Sequence, residues 1–447
     1  MDIKDFKDLV FARAKEAGFT EYEIYFSKSE TFSVKVRKGN IEEYKNAAPS
    51  GLSFRGTYED KTGYSFTERI DETVVDFLID NAKENAMVKE EEAEPLFKGS
   101  ESYPEVKTLS EDLNDLSAAD KIALAIEIEK LTYAEDSRVE SVDACAVLSG
   151  TTEKYIANSH GLDLHHISGS GASYAGAKVV ENGSIKVDFG VWAARDFSTI
   201  DPIKISKEAV SKAVSKLGAK SVPSGDYDIV LKNEASKDIF SAVVGNFYAE
   251  NAQKGLSLLK GKVGEQIATS KLTIRDNISH PLSLHAVPFD SEGVAVCDKT
   301  VIEDGVLKTF LYNQKAAKKE NRESTGNGFK SSYKGSVGTS VNNFFIEPGD
   351  ITFDGMLEKI DKGIVITGLS GIHSGINAVS GDFSLEADGF LIEGGKQTRP
   401  VEQITIAGNF YNLLKDIDII ADDLYFEPFS SMGSPSMLVK NIKVSGE

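Results

Sequence analysis

The sequence predicts an α+β protein. Helix and antiparallel-strand layers fill the N-terminal half (a possible α-β-α repeat), and a strand-rich sheet or barrel fills the C-terminal half. Three observations carry this. Residues 1–86 and 117–218 both read as helix, alternating strands, helix. Past residue 220, runs of strands with few helices follow one another between glycine turns such as Glu303-Asp304-Gly305 and Glu393-Gly394-Gly395. The composition, 40% hydrophobic and 27% charged over 447 residues, is that of a globular chain long enough for about two or three domains. The expected organisation is an N-terminal α+β unit at 1–87, an acidic linker at 88–116, a second α+β unit at 117–220 and a β-rich domain at 221–447.

The first helix places Ile3, Phe6, Leu9, Val10, Ala14 and Ala17 on one stripe, and Gly18 supplies a left-handed cap. Tyr22, Ile24 and Phe26 share one strand face, and Phe32, Val34 and Val36 another, before Lys38-Gly39-Asn40 turns the chain. Leu52, Phe54 and Tyr58 alternate with polar residues up to a turn at 60–63. A helix capped by Asp71 follows, with Val74, Val75, Leu78, Ala82 and Ala86 inward. Glu90, Glu91, Glu92 and Glu94 before Pro95 mark the solvated linker. Ser117-Ala-Ala-Asp120 is a capping-box signature for the next helix. Strands are expected at roughly 138–148, 152–158, 162–168, 172–181 and 184–194, with Asn182-Gly183 the strongest hairpin signal in the chain. Ser206 caps a helix that carries Ala209, Val210, Ala213 and Val214 and ends at Gly218. Beyond a boundary at 221–226 come a strand, 227–231, and a helix from about 233 to 248. Residues 318–340, dense in Gly, Ser, Asn and Lys, form a long loop, and such loops in compact domains often carry function.

Several chemistries are excluded. Fifty Lys and Arg against 70 Asp and Glu give a net charge of −20, which disfavours direct nucleic-acid binding. Cys145 and Cys297 lie far apart and form no CxxC pair, so there is no disulfide framework and a reducing compartment is the simpler reading. The first eighteen residues are charged throughout, with no apolar signal-peptide core, and the longest uncharged stretch, 363–381, is broken by glycines. A soluble, cytoplasmic protein is expected. No histidine is followed by Glu, so there is no HExxH zinc helix. His165 and His166 point to opposite faces if 162–168 is a strand, and the same spacing argument separates His280 from His285. Cys297, in an apolar strand pattern, reads as a buried, inert thiol. The GxSxG elbow, the Walker loop and the GxGxxG fingerprint are all missing.

Past residue 220 a set of strings appears in order: Val263-Gly264-Glu265-Gln266-Ile267-Ala268, Glu303-Asp304-Gly305-Val306-Leu307, Thr325-Gly326-Asn327-Gly328 and Pro400-Val401-Glu402-Gln403-Ile404-Thr405-Ile406-Ala407-Gly408-Asn409. With Asn158-Ser159-His160-Gly161 in the earlier half, these resemble the TldD/PmbA family over nearly the whole chain. The resemblance implies a two-subunit zinc-type metalloprotease acting on peptides and unfolded chains. In it one class, TldD-like, carries an H-E-x-x-x-H helix and a late cysteine. The other, called TldE or PmbA, lacks them. Counting back from Val263 without a gap, the metal-helix positions land on Phe240, Ser241 and Gly245, and residues 425–437 contain no cysteine. The resemblance therefore implies the PmbA type. Such a chain has no catalytic or metal residue and no cofactor of its own, with the zinc-type metal in a TldD-like partner. The residues agree, since a hydrolytic zinc needs three ligands and an open position for water, whereas Ile239, Phe240, Val243, Val244 and Phe247 make an apolar packing face.

A subunit without metal can still bind substrate by adding an extended peptide to a sheet edge. Two glycine-rich stretches are candidate walls, because glycine lets a foreign backbone come close. One contains Gly326, Asn327 and Gly328, the other Ser380, Gly381 and Asp382. The expected function is that of a pseudoenzyme partner in proteolysis and peptide maturation, in a heterodimer or by self-association. Two alternatives stand beside it: a modulator of DNA gyrase, as another family name suggests, and a stand-alone peptide-binding homodimer.

Overall fold

Helix α1 (Ile3–Glu16) begins at Asp2, whose carboxylate accepts from Lys4 N, and buries Phe6, Val10 and Ala14. The computed structural model describes residues 1–447 except Glu92, Glu94 and Pro95, so two members of the acidic run and the proline after it lie outside the described residues. Strands β1 (Glu21–Arg37), β2 (Asn40–Ala47), β3 (Ser50–Tyr58) and β4 (Lys61–Thr67) follow, then a 3-10 turn capped by Asp71 and helix α2 (Val75–Met87). Helix α3 (Ala118–Glu135) carries the reciprocal Ser117–Asp120 capping box. Strands β5 (Val139–Asn158), β6 (Asp163–Glu181) and β7 (Ser184–Ala194) lead to helix α4 (Pro202–Ser215).

These strands make one antiparallel seven-stranded sheet in the order β4-β3-β1-β5-β6-β7, with β2 paired to the second half of β1. The seam is β1 against β5, from Glu23↔Asn158 to Val36↔Cys145. The two α+β segments therefore share a single sheet. Phe6, Phe54 and Leu78 pack α1 and α2 against one end of it, and Ile128, Cys145, Ala175 and Ile205 pack α3 and α4 against the other.

Three local expectations change. The strand breaks expected near 150 and 170 do not occur, and β5 and β6 run for 20 and 19 residues. Gly150 is there for proximity, since a Cβ would stand 2.5 Å from Glu30 O on β1. Helix α4 starts before Ser206, because Asp201 caps Ile203 N and Lys204 N and Pro202 occupies the first turn; Ser206 is buried inside the helix and donates to Ile128 O. The helix expected to reach residue 248 is α5 (Asn233–Val243), which tightens into a 3-10 turn at Val244–Phe247.

The C-terminal half contains a closed five-strand barrel. Strand β8 (Gly225–Leu231) pairs in parallel with Lys362–Ser370 and antiparallel with Met437–Ser445. Asp382–Glu393 and Lys396–Asn409 complete the ring, because Lys396–Asn409 also pairs with Met437–Ser445. Strand β8 is buried on both faces, as a strand with a parallel neighbour usually is: Ile229 and Leu231 join the cluster around α5, and Val230 meets Met356 and Leu357. Beside the barrel lies a six-stranded sheet with Ile274–Asn277 and Asn343–Ile346 at its centre. Among the described residues no helix is long and apolar enough to cross a membrane.

Candidate functional site

Helix α5 and the turn after it carry Phe240, Ser241 and Gly245, the positions onto which the resemblance puts the metal helix. Phe240 is 2% exposed, and its ring stands edge-on to Phe410 with centroids 5.4 Å apart. Ile239, Val243 and Phe247 enter the same core. Ser241 is half-buried. Gly245 lies beyond the α-helix, in the 3-10 turn, and a Cβ there would stand 3.0 Å from Asn251 Nδ2, which donates to Gly245 O at 2.9 Å. Lys237, also buried, pairs through Nζ with Asp238 at 2.6 Å and Glu427 at 2.5 Å. Residues 425–437 come back beside this helix, where Ser434 Oγ lies 2.6 Å from Ser236 Oγ. Among the described residues no three His, Cys, Asp or Glu side chains gather as a metal-holding set.

The two glycine-rich stretches have different settings. Gly326, Asn327 and Gly328 are buried. The Asn327 amide donates to Asp276 Oδ2 and Ser340 O, both at 2.8 Å, and its carbonyl accepts from Thr325 Oγ1 and Lys299 Nζ. Asp276 is fully buried on the central strand and accepts from Asn342 N at 2.7 Å. The backbone that comes close to Gly326 is this chain's own, with Ala295 O 2.7 Å from a hypothetical Cβ. Ser380, Gly381 and Asp382 form a surface turn held by Asn409, whose amide donates to Ser380 O and Asp382 Oδ1. Ser380 rims an open cleft of about 350 Å³ with Leu258, Tyr411 and Lys415. Asp382 is held below the usual carboxylate range by the Asn409 and Ser380 hydrogen bonds.

A second cleft, of about 430 Å³, lies where the N-terminal sheet meets the C-terminal half. Arg55 and Tyr64 come from the sheet, Lys89 from the segment after α2, and Lys315, Lys330 and Lys334 from the C-terminal half. Lys330 Nζ donates to Ser53 Oγ at 3.2 Å and lies 4.8 Å from the centre of the Tyr25 ring. Burial pushes Lys330 down to about 8. Sequence reasoning did not assemble this cleft. Its one visible signal was the lysine-bearing loop 318–340, which supplies Lys330, Lys334 and the 335–337 rim.

The histidines do not join in a metal-holding set among the described residues. His165 contacts Glu153 at 2.8 Å, and His166 contacts Thr108 at 3.1 Å. His280 packs between the Phe345 and Phe426 rings, and His285 is pushed down to about 4 by burial and then by Lys154 and His166. Cys145 is buried, whereas Cys297, expected to be buried, is exposed: the apolar run before it is buried, but the chain reaches the surface at Cys297.

Comparison with known proteins follows this architecture. Residues 22–86, 111–217 and 224–446 match domain 1, the central domain and the C-terminal domain of the PmbA/TldA metallopeptidases. A solved structure from Thermotoga maritima, named as a modulator of a DNA gyrase, is 34% identical, has a TM-score of 0.92, and the match covers 99% of this chain and 100% of that one. The chain belongs to the PmbA/TldD family. TldE from Thermococcus kodakarensis is similar to it at 26% identity and TM-score 0.90, over 99% of this chain and 100% of that one. Metalloprotease PmbA of Escherichia coli O157:H7 is 27% identical over 334 residues, 74% of this chain and 71% of that one. This PmbA/TldD member is thus a PmbA/TldE-like protein of a peptidase family. The zinc-type metal that the resemblance implies does not fit the residues at these positions. Phe240, Ser241 and Gly245 bring a ring, a hydroxyl and no side chain, where zinc takes imidazole, thiolate or carboxylate ligands.

Proposed function

We propose that this chain is the metal-free subunit of a TldD/TldE-type metalloprotease in the cytoplasm. It pairs with a TldD-like subunit that holds the zinc-type metal, and the pair degrades or matures peptides and unfolded chains. The observation that carries this reading is α5. Phe240 is built into the apolar core against Phe410, where a ligand would have to face water and substrate. The similarity to TldE and to metalloprotease PmbA supports it. In this reading the partner supplies the reactive water, and this chain shapes or encloses the substrate. In this reading a peptide reaches the turn at Ser380 and Asp382, beside an open cleft, where Gly381 itself is buried against Tyr411; Gly326, Asn327 and Gly328 act from inside by holding the loop.

The test is purification of this chain, of a TldD-like protein from the same cell, and of the two co-expressed. Zinc content and cleavage of casein and short peptides are measured for each. The pair is expected to cleave and to lose activity on chelation, while this chain alone carries no stoichiometric zinc and cleaves nothing. Stoichiometric zinc in this chain with chelator-sensitive hydrolysis overturns the reading. The name of the Thermotoga relative favours a second reading, gyrase modulation, which falls if the purified chain leaves gyrase supercoiling unchanged.

A further inference from the structure

The cleft between the N-terminal sheet and the C-terminal half gathers positive charge on a molecule whose formal net charge is −20. Five cationic side chains line it. Arg55 pairs with Glu23 at 2.9 Å and Lys334 with Glu68 at 2.7 Å. Lys89, Lys315 and Lys330 line it without forming an ion pair among the described residues. Lys330 is the deep one. Its ammonium is held by the Ser53 hydroxyl and by the faces of Tyr25 and Tyr64, at 4.8 and 5.5 Å. Such an ammonium has given up water; the Glu23 and Glu292 carboxylates act on it from nearby without a direct ion pair among the described residues, and an anion entering the cleft adds the contact. Lys89 and Lys315 are exposed and stand at the mouth, where they attract the same charge.

The walls narrow the ligand class. Lysines are point charges suited to a carboxylate or a phosphate. Glu91 and Glu292 share the lining, and their charge opposes a dianion more than a monoanion. Tyr64 and Val337 add apolar wall, and about 430 Å³ lies within the range of small-ligand pockets, roughly 300–1,000 Å³. We propose that this cleft is a binding site for a peptide-sized ligand with a free carboxylate, received by Lys330 at the floor and drawn in by Lys89 and Lys315 at the mouth. The proposal does not rest on the metal-free reading, because it concerns binding to this chain alone.

The experiment is isothermal titration of the full chain at pH 7 with three probes: a neutral tripeptide with a free C-terminus, the same tripeptide amidated at its C-terminus, and inorganic phosphate. The free acid is expected to bind, and the amide to bind at least tenfold more weakly. Lys330→Met is expected to weaken the acid at least tenfold. The double variant Lys89→Ala/Lys315→Ala, confined to exposed side chains, is expected to weaken it several-fold and keeps the test alive if Lys330→Met fails to fold. Equal binding of acid and amide, no binding of the acid, tighter binding of phosphate than of the acid, or an unchanged affinity in the double variant each overturns the proposal.

Discussion

Replacing Phe240 by alanine tests whether α5 is core. The ring is 2% exposed and meets Phe410 edge-on at 5.4 Å, within the cluster that joins α5 to the barrel strands. Removing a buried phenylalanine ring typically costs about 3–5 kcal/mol, from lost transfer free energy and the cavity left behind. The edge-to-face contact puts Phe240 in the middle of that range or above it, so about 4 kcal/mol is expected. For a folding unit of about 200 residues each kcal/mol moves the midpoint by roughly 2–4 °C, giving a fall on the order of 10 °C. Calorimetry and urea unfolding of the full chain measure it, and Phe240→Leu should lose less than half as much. The paired test is Phe240→His/Ser241→Glu/Gly245→His with excess zinc. Since Gly245 lies against Asn251 beyond the end of the α-helix, zinc should not raise the melting temperature of this triple variant. A loss below about 1 kcal/mol in Phe240→Ala, or clear zinc stabilisation of the triple variant, refutes the packing argument.

Acid should loosen the seam between the sheet and the C-terminal half. His285 is pushed down to about 4, so between roughly pH 6.5 and 4 the unfolded chain takes up a proton that the folded chain refuses. Its contribution is complete above about 6.5 and is lost as pH falls toward 4, on the order of 3 kcal/mol. Unfolding measured from pH 7.5 to 4.5 should show a shallower slope in His285→Gln, and identical slopes would sink the assignment. Asn327→Ala removes two hydrogen bonds that the amide donates, one of them to the buried Asp276, and is expected to destabilise by roughly 2 kcal/mol in urea unfolding. A neutral result would mean the loop is not held there. A maleimide reagent should label Cys297 in the native protein and leave Cys145, whose thiol burial pushes up to about 12, unmodified until denaturant is added; mass spectrometry of the labelled peptides decides it.

Local chemistry was legible where a few adjacent residues set the backbone. Ser117 and Asp120 cap α3 as written, and Asn182-Gly183 adopts the positive φ of 50° and 84° that a two-residue hairpin loop requires. Gly150 misled because one residue type serves both turns and close strand crossings, and only the partner Glu30 tells which. The joining of β1 to β5 and the closure of the barrel pair residues more than a hundred positions apart, and periodicity carries no record of such partners. The α5 face was legible because its apolar residues sit at helical spacing, and the structure packs them as core. The interdomain cleft was not, since its lysines come from separate segments and each alone is an ordinary surface residue.

Strand β8 lies between Lys362–Ser370 and Met437–Ser445, both of which are made long after it. At about 5–20 residues per second, a ribosome leaves β8 without its last neighbour for roughly 10–40 s. For that interval an apolar strand with unpaired edges stands open to other chains. Changes in residues 437–445 therefore act first on the newborn polypeptide. They should show as material lost to inclusion bodies, or held by chaperones, before any purified protein is in hand to melt.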